Sequence, residues 1–206
     1  MRLGASYMHL QSQRGVVLIV ALVMLLIVTL LGVVSMQGAR FQMKMTNNAQ
    51  ERQQAFNSAE ATLAAAERVI STGGYPLSSF EVACAGANCF NANCNNGLCF
   101  SGVFNQGVFQ AQKNCALGAL PATEVWNNPA IWATNNRHKS VVLPAAVQGQ
   151  QVTGMYIIEF RCFIDGPSGT VENDLGDIFY RITALGTSFA GNAQVMVQST
   201  YRSSVP

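Results

Sequence analysis

Charge is scarce in this sequence. Lysine, arginine, aspartate and glutamate make up 11% of its 206 residues, and no acidic side chain occurs before Glu51. The formal net charge is +2, with no basic helix or stripe, so the electrostatic footprint of a nucleic-acid binder is missing. Histidine is equally sparse, limited to His9 and His138. A His-dependent catalytic triad would have to use one of them with no G-x-S-x-G elbow in the chain to accompany it. There is no G-x-x-x-x-G-K-S/T phosphate loop and no H-E-x-x-H metal motif. These absences leave no enzymatic reading and imply no cofactor.

Apolar sequence, by contrast, is concentrated at one end. Val16 to Val34 is an apolar run interrupted only by Thr29 and Gly32, and no proline follows until Pro76. At about 1.5 Å per residue, this run is long enough to cross the ~30 Å hydrocarbon layer of a bilayer. Its flanks are arranged in an unusual order. A cleaved secretory signal places a small-residue cleavage site after its apolar core. Here the small residue, Gly15, precedes the core and directly follows Arg14. A cut between Gly15 and Val16 would release a polar leader and leave the anchor on the mature chain. Arg2, His9 and Arg14, with no acid among residues 1–15, favour a cytoplasmic leader, although Arg40 and Lys44 beyond the span weaken the asymmetry. Removing the leader takes away Arg2 and Arg14, which leaves ten basic side chains against ten acids.

Beyond the span, residues 37–72 change character. In AQERQQAFNSAEATLAAAERVI, the residues Phe56, Ala59, Leu63, Ala66 and Ile70 recur at alternating steps of three and four. This predicts one apolar stripe on an amphipathic helix that buries itself against something downstream. Ser71, Thr72, Gly73, Gly74 and Pro76 are the predicted stop.

QRG followed by VVLIVALVMLLIVTLLGV, and then RQQAFNSAEATLAAAE, resembles the amino-terminal segment of PilX-type minor pilins of type IV pili. The resemblance implies an α+β, pilin-like fold in which the long helix packs on a C-terminal antiparallel sheet. It implies a leader, residues 1–15, that a prepilin peptidase cuts after Gly15, with methylation of the new terminus at Val16. Residues 16–36 would then be the transmembrane or filament-core half of the helix, and residues 73–206 an exported head. The implied partners are other minor pilins, the major pilin and a large tip adhesin. The head would be periplasmic while the anchor sits in the inner membrane, and the chain would later join the pilus at the cell surface. Major pilins carry a glutamate at the fifth mature position, which here is Val20. A charge at the bilayer centre costs at least a few kcal/mol and is retained where it has a partner. Its absence fits a subunit with no neighbouring terminus to neutralise, at the filament tip or in priming assembly, and PilX-type chains commonly lack it. Three alternatives stay open. They are a type II secretion pseudopilin, a single-pass envelope adhesin or sensor that keeps its first fifteen residues, and a plain signal anchor.

All six cysteines lie beyond the span, at Cys84, Cys89, Cys94, Cys99, Cys115 and Cys162. Export favours disulfides, with the connectivity open. Zinc held by thiolates five residues apart is the competing reading, against which stand the wide spacing and the lack of a nearby histidine. Residues 73–140 are a Cys-rich loop region. Its first part has Phe80, Phe90, Phe100, Phe104 and Phe109 as apolar anchors, and serves either as a contact surface or as a stapled cover for a sheet edge. Between Pro121 and Asn136 a short helical turn is expected, capped by Thr123 and limited by Pro129. Trp126 and Trp132 there read as core packing or as a partner-binding pair, and His138 as a solvated loop residue.

Residues 141–206 read as the sheet. Strands are expected at Val141–Leu143, Thr153–Ile164, Ile178–Gly186 and Ala193–Tyr201, the last two joined at Gly191-Asn192. Tyr156, Ile158, Phe160 and Cys162 should share one face, opposite Met155, Ile157, Glu159 and Arg161. Asp165, Glu172, Asp174 and Asp177 form an acidic loop, either solvated or a calcium site whose spacing does not match an EF-hand. No other metal ligand set stands out.

Overall fold

The absence of proline and the density of good helix formers carry one α-helix, α1, from Arg14 to Gly73. It is the first element of a computed structural model that describes residues 14–81, 83–100, 124–143, 151–164 and 177–204. The leader residues 1–13, Cys115, Thr123 and most of the acidic loop lie outside those residues. The chain divides into two units, Met1–Asn47 and Asn48–Pro206, so that α1 contributes its first half to one and its second half to the other.

In the first unit every apolar side chain from Val16 to Met45 is exposed. The polar interruptions satisfy themselves. Thr29 Oγ1 donates to Leu26 O at 2.8 Å, and Ser35 Oγ to Leu31 O at 2.8 Å. The apolar cylinder therefore presents no unpaired hydroxyl donor, as a helix in lipid requires.

The second unit holds a five-stranded sheet: β1 (Leu98–Cys99), β2 (Lys139–Leu143), β3 (Val152–Ile164), β4 (Asp177–Thr187) and β5 (Gln194–Ser204). The order runs β1-β3-β4-β5, with β2 also pairing β3. The four longer strands pair antiparallel, whereas β1 pairs β3 in parallel, which makes the sheet mixed. The β4–β5 hairpin turns at Gly191, whose φ of 75° suits glycine. A register shift between Phe160 and Cys162 pairs Cys162 with Phe179. Since paired residues share a face, this bulge moves Cys162 off the face of Tyr156, Ile158 and Phe160 and onto that of Phe179.

The sheet buries one face against the second half of α1. The main core gathers Ala66 and Ile70 from the helix, Tyr156, Ile158 and Phe160 from β3, and Tyr180, Ile182 and Ala184 from β4. Phe80, Phe90 and Phe100 from the Cys-rich segment complete it, with ring centroids 4.9 Å apart for Phe80 and Phe90 and 5.3 Å for Phe100 and Phe160. Gly74 closes the helix in the left-handed region at φ 55°, its N–H donating to Ile70 O at 3.0 Å.

The buried stripe differs from the expected one at Phe56, which is 38% exposed. Ala55 and Thr62 join Ala59, Ala66 and Ile70 in facing the sheet, with Leu63 half-buried at the rim. Distance of approach is the reason. A Cβ on Gly186 of β4 would lie 2.2 Å from Ala59 N and 2.4 Å from Ala55 O, and one on Gly154 of β3 would lie 1.7 Å from Thr62 Oγ1. Only small helix residues fit so close a contact, so Ala55 takes the place of Phe56 at the start of the packed face, and Phe56, about 100° around the helix from Ala55, is turned outward.

Candidate assembly helix and head surface

The processing residues expected from the sequence stand at the foot of α1. Gly15 has nothing within 4 Å of where a side chain would begin, and Val16 and Val20 are 64% and 52% exposed. Val20 sits on a helix turn lined only by other apolar residues, and no acid occurs in α1 before Glu51. The helix is long and apolar enough to cross a membrane. Such a surface in water would be an aggregation liability, so its chemistry points to lipid or to the apolar flanks of other helices.

In the head, the Cys-rich segment resolves into two short covalent loops, Cys84–Cys89 and Cys94–Cys99. Cys162 is also disulfide-bonded. Cys94–Cys99 closes the loop that delivers β1 to β3, so this part of the segment covers a sheet edge. A second apolar cluster lies there, with Cys94, Cys99, Ile131 and Ile157 covered by the half-buried Val125, Trp126 and Trp132. Trp132 Nε1 donates to the Trp126 backbone carbonyl at 2.9 Å, which holds the Trp132 ring in place, and both rings pack on the cluster. Trp132 stands on a short helix, α2 (Pro129–Ala133), and Trp126 on a 3-10 turn before it, Val125–Asn127. That turn ends before Pro129, and Pro129 also begins α2, because Asn128 Oδ1 accepts the Ala130 N–H at 3.0 Å as an N-cap and proline suits the first helical position. His138 is half-buried, not solvated, and its Nδ1 lies 2.8 Å from Ile131 O, a carbonyl that can only accept.

The sheet face away from α1 carries an ionic cluster that the sequence reading did not single out. Glu159 is 1% exposed and is held in a fork by Arg181, whose Nε and Nη2 donate to its two carboxylate oxygens at 2.8 Å each. Arg181 also donates to Glu124, and Arg161 Nη1 lies 3.7 Å from Glu159 and 4.0 Å from Glu124. The hydrogen bond from Arg181 holds the Glu124 carboxyl below its ordinary range, against the opposing effect of burial. Burial pulls the Arg181 guanidinium down, but its hydrogen bonds to Glu159 and Glu124 outweigh that and leave it above the ordinary arginine value. The signal was present in the register: Glu159 and Arg161 share a strand face, and β4 places Arg181 opposite Glu159. Two acids and two bases closed on one another make a structural clasp.

Among the described residues no group of three or more His, Cys, Asp or Glu side chains is placed to hold a metal ion. Asp177, the described member of the acidic loop, pairs with Arg202.

No curated protein and no solved structure matches the chain. Two family models do. Residues 14–64 match the PilX N-terminal model, and residues 83–203 match the model of the type IV pilus assembly protein PilX C-terminal region. The first covers the helix that projects the apolar surface, the second runs through the disulfide loops to the last strand, and the chain therefore belongs to the PilX family of type IV pilus assembly proteins.

Proposed function

We propose that the chain is a minor pilin that helps start type IV pilus assembly from the filament tip, and so supports pilus-dependent adhesion and twitching motility. The observation that carries this reading is Val20. From Val16 to Val34, α1 is an exposed apolar cylinder with no carboxylate. A subunit of this kind packs sideways against neighbouring helices through apolar contact alone and has nothing with which to neutralise the amino terminus of another subunit. That suits a position where no such terminus arrives. The partners are other minor pilins and the major pilin, with a large tip adhesin at the free end.

In this reading prepilin peptidase removes residues 1–15, Val16 becomes the methylated terminus, and the protein waits in the inner membrane with its head in the periplasm. Mass analysis of the mature amino terminus and counting of pili in cells lacking the protein test it together. The expected result is a chain beginning at methylated Val16 and few or no pili without it. A mature chain that still begins at Met1 would sink the proposal. So would a Val20→Glu variant that spreads along the shaft while pilus number stays unchanged.

A further inference from the structure

Immediately beyond the apolar span, α1 carries an exposed segment of mixed cationic and apolar residues. Arg40 and Lys44 lie one turn apart on one helix face and are both exposed. Neither forms an ion pair among the described residues. No acid precedes Glu51, two turns after Lys44, so neither cation has an acidic neighbour three or four residues away. Between and beside them stand Phe41, Met43 and Met45, which are 65%, 69% and 72% exposed. Two unpaired cations interleaved with exposed apolar side chains make an unstable surface in water but a favourable one where hydrocarbon meets headgroups.

Geometry places the segment at that level. If Val16 to Met36 fills the hydrocarbon layer, at about 1.5 Å per residue Arg40 lies about 6 Å and Lys44 about 12 Å beyond it. The headgroup layer on each side is about 5 to 8 Å deep. Helix side chains lean toward the amino terminus, here back toward the bilayer, and the long stem of Lys44 covers the remaining distance. Positive charge on the exported side runs against the usual bias of membrane proteins, so this pair works against the chain's own insertion signal.

We propose that Arg40 and Lys44, with Phe41, Met43 and Met45 around them, form a collar that binds the phosphate groups of anionic phospholipids in the leaflet on the head side. The inference rests on reading α1 as a membrane span. The collar holds the subunit in the bilayer, and lifting the protein into a fibre requires those headgroups to be released.

The test uses the full chain reconstituted in phosphatidylcholine bilayers that contain a small fraction of spin-labelled phosphatidylglycerol, with labelled phosphatidylcholine as the reference lipid. The expected result is enrichment of phosphatidylglycerol at the protein on the order of tenfold at low salt, falling as salt is added. R40Q/K44Q should lose most of that enrichment and R40K/K44R should keep it. Equal enrichment by the wild type and R40Q/K44Q overturns the proposal, as does enrichment that is lost in R14Q instead. If no lipid is enriched but R40Q/K44Q abolishes cross-linking to another pilin, the cations meet an acidic protein surface and the proposal fails while the assembly role stands. Release of the wild-type chain from the bilayer by alkaline extraction overturns the collar and the span together.

Discussion

The two halves of α1 reverse the usual relation between hydrophobicity and burial. From Val16 to Val34 the helix carries the most apolar sequence in the chain, and all of it is exposed. From Ala55 to Ile70 the face that is buried consists mostly of Ala, Ser and Thr. Burial in the second half is decided by how closely the sheet approaches, which selects for small residues. In the first half the bulky aliphatic side chains lie all round the helix, a surface that suits lipid or other helices. One continuous element thus follows two packing rules, and each half informs on a different stage of the protein's life.

The largest effect should come from the head. Arg181→Ala would leave Glu159 buried without its fork, and is expected to cost roughly 3 to 5 kcal/mol in denaturant unfolding followed by tryptophan fluorescence. A loss below about 1 kcal/mol would show that Arg161 alone keeps Glu159 satisfied. Next comes a glycine pair that separates the halves. Gly186→Ala forces a side chain into the backbone of Ala55 and Ala59, so the head should lose about 3 kcal/mol. Gly32→Ala meets nothing within 4 Å and should leave head stability unchanged. Similar losses from both substitutions would erase the distinction between the halves.

Within the second half, Ile70→Ala should cost at least about 2 kcal/mol, whereas Phe56→Ala should cost well under 1 kcal/mol. A loss of about 2 kcal/mol or more from Phe56→Ala as well would restore the stripe read from the sequence. The smallest effects are those of pH on the head. Burial raises the Tyr75 and Tyr180 phenols above their ordinary 10.0, and each is raised further by a neighbouring tyrosine. Their contribution is present below that value and is lost as pH rises above it, so alkaline unfolding and phenol ionisation should coincide. Glu124 has the opposite sign. Its contribution is present above its ordinary 4.5 and is lost as pH falls through its lowered folded value, an effect that Glu124→Gln should remove.

Much of this arrangement was legible in one dimension. Alternation in Thr153–Ile164 and the Gly191-Asn192 turn were enough to locate β3 and the closing hairpin to within a few residues, because strand period and turn chemistry are local properties. The clasp was not legible, since Glu159, Arg181 and Glu124 come together only through strand register and the placement of a loop 57 residues from Arg181. The place of Ala55 instead of Phe56 on the buried face was equally hidden. Phe56 fits a helical apolar period, and only the proximity of Gly186 shows that a large ring cannot occupy the contact face.

The sequence by itself determined the long helix, its apolar first half, the position of Gly15 before the span and the absence of charge at Val20, because each depends on residues adjacent in the chain. The tertiary structure alone decided which helix residues touch the sheet, how the cysteine loops cap its edge and where the buried charges find partners. Those outcomes depend on distances between segments that are remote in sequence, and no local pattern encodes a distance of approach.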